Sequence, residues 1–362
     1  MKIMSARSWV ESLELSRPYS IAFASFDQVQ VLFVVLKTDD GHVGVGSGSP
    51  VEVITGETLE SAASALESHL EGLVLGKDVR QLGSILHQLD TRISATPAAR
   101  AAVDIALHDL FAQRLELPLV EVLGRSHEVL PTSITIGIKE SIEEAVEEAQ
   151  EYLGRGFRCL KLKIGSSLEQ DLATIAHVRE AVGDTITLRV DVNQGYDLES
   201  TRRLATEAPV WGVELLEQPL PQEDTGAMLE LPPSVRRLCA ADESLRTPAD
   251  ALALTTRPQP FGIFNIKLMK CGGIAPARSI AELARLGGID LMWGCMDESI
   301  ASIAAALHTA FSCPATRYLD LDGSLDLARD LVTGGFVLED GLLRTKNAPG
   351  LGVRLLEPAV TS

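Results

Sequence analysis

The sequence predicts a (β/α)8-type barrel, of the modified TIM type, preceded by a smaller α+β domain, and three observations carry that prediction. Strand-like runs separated by turn signals fill about the first fifty residues, and segments of helical periodicity fill about the next seventy, a grouping typical of an α+β unit. After Pro131 short apolar runs alternate with amphipathic helical segments eight times, the rhythm of a barrel built from βα units. A polar side chain then stands at the end of each of those eight runs. With 362 residues, 46% of them hydrophobic, the chain can bury one large core and a second smaller one.

Taken in order, Val29–Thr38 is apolar, Asp39-Asp40-Gly41-His42 signals a turn and Val43–Ser47 resumes the strand. The series Gly44, Gly46, Gly48 resembles a phosphate loop, but Ser49 stands where the last glycine is needed and Pro50 follows. It reads instead as a loop that bends freely, with no helix opening there. Thr58–Val74, Val79–Ile93 and Pro97–Leu115 repeat their apolar residues at three and four, and Pro97 suits a helix start. His108, inside the third, reads as a helix-face or core residue. The barrel strands are expected at Thr132–Ile136, Cys159–Ile164, Thr187–Val190, Val213–Leu216, Arg237–Ala240, Ile263–Ile266, Asp290–Trp293 and Thr316–Leu319. Helices fill the gaps, among them Ser141–Gly154, Leu168–Val182, Ile274–Leu286 and Ser299–Phe311. These elements divide the chain into a capping domain (1–125), the barrel (126–330) and a Gly-rich segment (331–362) that returns to complete the cap.

The formal net charge of −18 argues against nucleic acid and anionic membranes as partners, and no apolar run is long enough to span a bilayer. Five cysteines without a C-x-x-C pair, and an N-terminus lacking a signal-peptide core, suit a reducing cytoplasmic setting. A homo-oligomer is compatible with the sequence.

The eight strand ends are Thr135, Lys163, Asp191, Glu217, Asp242, Lys267, Cys295 and Asp320, each 25 to 28 residues after its predecessor. Barrel active sites are built at the C-terminal ends of the strands, so side chains in step with the βα repeat converge on one mouth. Ordinary ion pairs at loop starts would have no reason to keep that step. Asp191, Glu217 and Asp242 are carboxylates on three adjacent strands; they repel unless a cation lies among them, and oxygen donors select Mg2+, one per subunit, or Mn2+. Asn193, in D-V-N, and Glu243 stand close enough in sequence to support that site.

In the run C-L-K-L-K-I, Lys161 and Lys163 share one face of the second strand, a costly placement for two ammonium groups unless they have a use. Each is expected to depress the pKa of the other, which would make Lys163 a usable base. Lys267 ends the sixth strand, four strands away, and so should meet Lys163 across the mouth. With a substrate carboxylate on the metal, its α-proton is acidified through an enediolate, and one lysine removes a proton while the other returns one to the far face. That is racemisation or epimerisation.

K-L-K at 161–163, D-V-N at 191–193, E-Q-P at 217–219, A-D-E-S at 241–244 and N-I-K-L-M-K-C-G-G at 265–273 resemble the enolase superfamily, and within it the muconate-lactonizing-enzyme subgroup. The resemblance runs nearly end to end, through R-P-Y-S-I-A-F at 17–23 and A-A-V-D-I-A-L-H-D-L at 101–110. It implies Asp191, Glu217 and Asp242 as metal ligands, Lys163 and Lys267 as the acid/base pair, and cap segments near Arg17–Asp27 and Ser47–Glu52 that close over the substrate. Positions matching Thr135, Cys295 and Asp297 line the pocket in that family, and Lys161 would help hold the substrate carboxylate.

The motif Y-L-D-L-D-G places Asp320 and Asp322 on one face of the eighth strand, where two carboxylates away from the metal should hold a cation. In dipeptide epimerases of the subgroup a D-x-D here binds the α-ammonium, so the chain most resembles those enzymes, and the resemblance implies action on a small dipeptide at the α-carbon of its C-terminal residue. The alternative is an N-succinylamino acid racemase, an o-succinylbenzoate synthase or another cycloisomerase of the subgroup, whose substrates leave the two carboxylates unexplained. Ser20–Asp27 contains no Lys or Arg to receive an acidic side chain, and Asp297 is acidic. Dipeptides with cationic side chains are therefore expected, with Asp297 and Glu52 as partners.

Overall fold

The computed structural model describes residues 1–21 and 24–356, with the side chains of residues 1–17 and 27–356. The chain opens with a three-stranded antiparallel sheet, β1 (Ile3–Ile21), β2 (Ala24–Thr38) and β3 (Val43–Gly48), in the order β1-β2-β3. Helices α1 (Glu52–Thr55), α2 (Leu59–Val74), α3 (Leu82–Arg92) and α4 (Pro97–Arg114) follow. Every residue of Val31–Leu36 is buried, because both faces of β2 are covered. Leu32, Val34 and Leu36 pack on the helices, whereas Val31, Phe33 and Val35 pack with Ala301 and Val332 from later in the chain.

The glycine series is not a freely bending loop: Gly44, Gly46 and Gly48 lie in β3 and face the backbone of α4. A Cβ at each would overlap the carbonyl oxygen of Ala106, Ala102 or Ala98 respectively, one alanine per helical turn. Glycine here serves close approach of strand and helix. A single helical turn, α1, does open two residues after Pro50, contrary to the expectation from that proline. Gly46→Ala is expected to lower the melting temperature by several degrees, since the new methyl also lies 2.9 Å from Ala102 C and Ala106 N and over-packing costs about 1–3 kcal/mol. Gly72→Ala in α2, where a Cβ meets nothing within 4 Å, is the control that should not lower it.

After α5 (Leu119–Leu123) and the short β4 (Leu130–Pro131) comes the barrel. Its strands are β5 (Ile134–Ile136), β6 (Cys159–Lys163), β7 (Thr187–Asp191), β8 (Val213–Glu217), β9 (Cys239–Ala241), β10 (Ile263–Ile266), β11 (Asp290–Gly294) and β12 (Thr316–Asp320). They form one sheet in strictly sequential order with parallel neighbours. A parallel bridge between Thr132 and Leu319, with Ser133 N donating to Leu319 O at 3.0 Å, joins its two edges. Residues such as Leu160, Leu162, Leu188 and Val190 face outward into the main core with the helices, while Leu215, Ala240, Ile263 and Met292 plug the interior. α4 lies between this barrel and the cap sheet, which is why it is buried nearly all round. His108 within it is a core residue, its Nδ1 3.1 Å from Asp104.

The C-terminal segment divides. β13 (Val332–Gly334) pairs with β16 (Val353–Leu355) against the cap sheet, but β14 (Phe336–Glu339) and β15 (Leu342–Thr345) join β4 beside the barrel. The tail therefore completes the cap only in part. No helix among the described residues is long and apolar enough to cross a membrane.

Candidate active site

Lys163, Asp191, Glu217 and Asp320 are the last residues of β6, β7, β8 and β12, and Asp242, Lys267 and Cys295 each stand one residue past β9, β10 and β11. Thr135 lies at the centre of β5. The expected ladder thus meets at one end of the barrel, around a cavity of about 720 Å3 between barrel and cap. Thr135, Lys161, Lys163, Asn193, Lys267, Cys295, Asp297, Asp320 and Asp322 all line it.

Asp191, Glu217 and Asp242 lie beneath that surface and are fully or almost fully buried. Asp191 and Glu217 are register partners on β7 and β8. Each of the three is engaged by nitrogen donors. Lys163 Nζ lies 2.7 Å from Asp191 Oδ2, Asn265 Nδ2 2.6 Å from Glu217 Oε1, and Lys267 Nζ 2.7 Å from Asp242 Oδ2. Lys270 Nζ also contacts the other Asp242 oxygen and donates to its carbonyl at 2.6 Å. Among the described residues no three His, Cys, Asp or Glu side chains are gathered as a ready-made cage, because each carboxylate is drawn to its own donor.

The donor set nonetheless suits a hard divalent cation. Burial would raise Asp191 and Asp242, but Lys163 and Lys161 hold the first low, and Lys267 and Lys270 the second. For Glu217 the balance goes the other way: burial, and then the charge of Asp191, push it up to about 8 against the opposing charges of Lys161 and Lys267. Three oxygen-donor groups with unsettled negative charge are what Mg2+ binds. The turns behind them are held tightly, with Asn193 and Gln218 at φ +46° and +34°. Asn193 accepts from Lys163 at 2.8 Å and donates its backbone N to Asp191 at 3.0 Å, while Gln218 Oε1 accepts from Asp242 N and Ser244 N.

Lys161 differs from the expectation that it mainly depresses its neighbour. Its Nζ contacts Asp320 and lies 3.4 Å from both Asp191 and Glu217. Burial alone would lower its pKa, but Asp320, Glu217 and Asp191 together raise it well above the ordinary value. Lys161 is a countercharge to three carboxylates. Asp320 also accepts from Ser133 Oγ at 2.6 Å and is held low by Lys161 against the effect of burial. Asp322 accepts from Thr135 N at 2.7 Å, and burial followed by the Asp320 charge pushes it up to about 7.

Two sequence expectations fare differently here. Glu52 is exposed on α1 and is absent from the cavity wall, which its neighbours Val51 and Val53 form. Of the segment Arg17–Asp27, the side chains of 18–26 lie outside the described residues, whereas Arg17 and Asp27 line the cavity. Asn265, Lys270, Gln218 and Ser133 were not singled out from the sequence. Asn265 had a signal, since it stands two residues before Lys267 on the same strand face.

Residues 5–124 match the family model described as mandelate racemase / muconate lactonizing enzyme, N-terminal domain, and residues 144–359 that described as enolase C-terminal domain-like. The L-Lys-D/L-Arg epimerase of Desulforapulum autotrophicum is 54% identical over 354 residues, covering 98% of this chain and 99% of that protein. Its namesake from Methylococcus capsulatus is 53% identical over 353 residues, with 98% and 99% covered. A solved structure of a dipeptide epimerase from Methylococcus capsulatus, complexed with Mg and the dipeptide L-Arg-D-Lys, has a TM-score of 0.96 at 53% identity and covers 98% of this chain and 99% of its own.

Proposed function

This chain belongs to the mandelate racemase / muconate lactonizing enzyme family of the enolase superfamily, and as a Mg2+-dependent dipeptide epimerase of that family it acts, we propose, on dipeptides with cationic side chains. The observation that carries the reading is the meeting in one cavity of Lys163 and Lys267, from strands four apart, with the paired carboxylates Asp320 and Asp322. A proton moved at one carbon needs a base on one side and an acid on the other, and two lysines from strands four apart in one cavity support that division of labour.

Asp191, Glu217 and Asp242 would hold the Mg2+, which when bound would supply positive charge to a substrate carboxylate and so acidify the neighbouring α-proton. Lys163 takes or gives that proton on one face of the α-carbon and Lys267 on the other. Lys161, beneath them, keeps Asp320 ionised and adds positive charge where the carboxylate binds. Asp320 and Asp322 receive the α-ammonium, a charge-assisted contact that a lactone or a succinylated amine cannot make. On the cap side the cavity is lined by Val51, Val53 and Ile54, which give it an apolar edge. The cationic preference is supported by acidic groups at the wall, Asp297 among them, and by relatives named for Lys and Arg.

Incubation with a library of L,L-dipeptides in D2O and Mg2+ tests this directly. A one-dalton gain and inversion of the C-terminal residue are expected first with Lys- and Arg-containing members. Exchange only with succinylated amino acids would favour the racemase reading, and exchange confined to neutral dipeptides would remove the cationic preference.

A further inference from the structure

Resting on the reading above, we infer that the cavity's two acidic ends read different side chains of the dipeptide: Asp297 that of the N-terminal residue and Asp326 that of the C-terminal residue. The first half follows from how the D-x-D is held. Cys295 Sγ donates to Asp320 O at 3.2 Å, lies 3.8 Å from Asp322 Oδ1 and accepts from Gly323 N at 3.3 Å. Glu298 N donates to Gly323 O at 3.2 Å, so the loop 295–298 is clasped to the end of β12 and the turn after it, which carry the two carboxylates. A dipeptide with its α-ammonium on Asp320 and Asp322 therefore lays its first side chain against the loop that carries Asp297.

Successive side chains of an extended peptide point to opposite sides. The second side chain, leaving the α-carbon between Lys163 and Lys267, is thus directed away from Asp297, and the acidic group we assign to it lies in the cluster of Arg17, Lys139, Glu148, Tyr152 and Asp326 on the cavity wall. Two acids stand there, and they are not equivalent. The Glu148 carboxylate is occupied by Arg17 at 3.1 Å, Lys139 at 2.5 Å and the Tyr152 hydroxyl at 2.9 Å. Asp326 makes no ion pair among the described residues, and burial raises its pKa against the charges of Arg155, Arg17 and Lys139. Its backbone carbonyl accepts both Ser16 N at 2.7 Å and Ser16 Oγ at 2.9 Å, which fixes the segment at the base of the β1–β2 hairpin without using the carboxylate. Asp326 is the acid at that end with capacity for a new cation.

The test compares kcat/KM, measured by α-proton exchange with Mg2+ present, for L-Lys-L-Lys, L-Lys-L-Ala and L-Ala-L-Lys. Wild type should prefer lysine at both positions. Asp326→Asn should reduce the preference for Lys-Lys over Lys-Ala about tenfold or more, through KM, and Asp326→Glu should restore it. Asp297→Asn should instead reduce the preference for Lys-Lys over Ala-Lys. If Asp326→Asn leaves the C-terminal preference at the wild-type value, or lowers both preferences alike, the assignment is wrong. Absence of any lysine preference in wild type would overturn the cationic reading itself, and the wild-type measurement alone reports that.

Discussion

Lys267→Ala is expected to lower the rate of epimerisation by about three orders of magnitude or more, since a positioned acid or base contributes about 10²–10⁴-fold. The same variant should still exchange with solvent the α-proton of the stereoisomer that faces Lys163. Lys163→Ala is its mirror image, retaining exchange only on the opposite stereoisomer. The structure makes Lys267 the cleaner of the two to remove. Asp242, its partner at 2.7 Å, keeps Lys270 as a second ammonium, so the buried carboxylate is not stranded and the fold should survive. Isotope exchange followed separately on L,L- and L,D-dipeptides reads out the result. A Lys267→Ala protein that epimerises near the wild-type rate would sink the two-base assignment, while loss of exchange on both stereoisomers would show that Lys163 cannot act alone.

Strand positions were legible because each apolar run ends at a polar residue or glycine: Ile263–Ile266 is the observed β10, and Thr187–Val190 falls one residue short of β7. The same spacing predicts which side chains reach the mouth, since that depends only on the βα repeat. It does not predict which carboxylate each lysine selects. Lys161 and Lys163 look alike in C-L-K-L-K-I, yet the first is 3% exposed and set among Asp320, Glu217 and Asp191, while the second meets Asp191 and Asn193 nearer the cavity. Strand length accounts for the difference, because Lys161 sits two residues deeper in the barrel. The glycine series misled for a related reason. A glycine needed for bending and one needed for close packing are the same letter, and only the backbone of α4 behind Gly46 distinguishes them. Lys270 was hidden by a single helical turn, Leu268–Cys271, that brings it back to Asp242.

Lys161→Met is expected to destabilise the protein by about 3–5 kcal/mol, the usual result of removing one partner from a buried ion pair. Methionine matches the length of the lysine stem, so little packing is lost and the missing charge dominates. The three carboxylates would not suffer equally. Asp191 keeps Lys163 at 2.7 Å and Glu217 keeps Asn265 at 2.6 Å, but Asp320 is left with the neutral hydroxyl of Ser133. The double variant Lys161→Met/Asp320→Asn, which removes both charges, should therefore recover most of the lost stability without recovering activity. Urea denaturation of wild type, single and double variants at one Mg2+ concentration measures this. The outcome also decides between two roles for Lys161. Were its main effect on Lys163 rather than on the carboxylates, Lys161→Met would lower activity while keeping the midpoint. A countercharge role instead predicts a lower midpoint, rescued by neutralising Asp320, because a carboxylate buried to 2% exposure cannot recruit enough water to replace the ammonium.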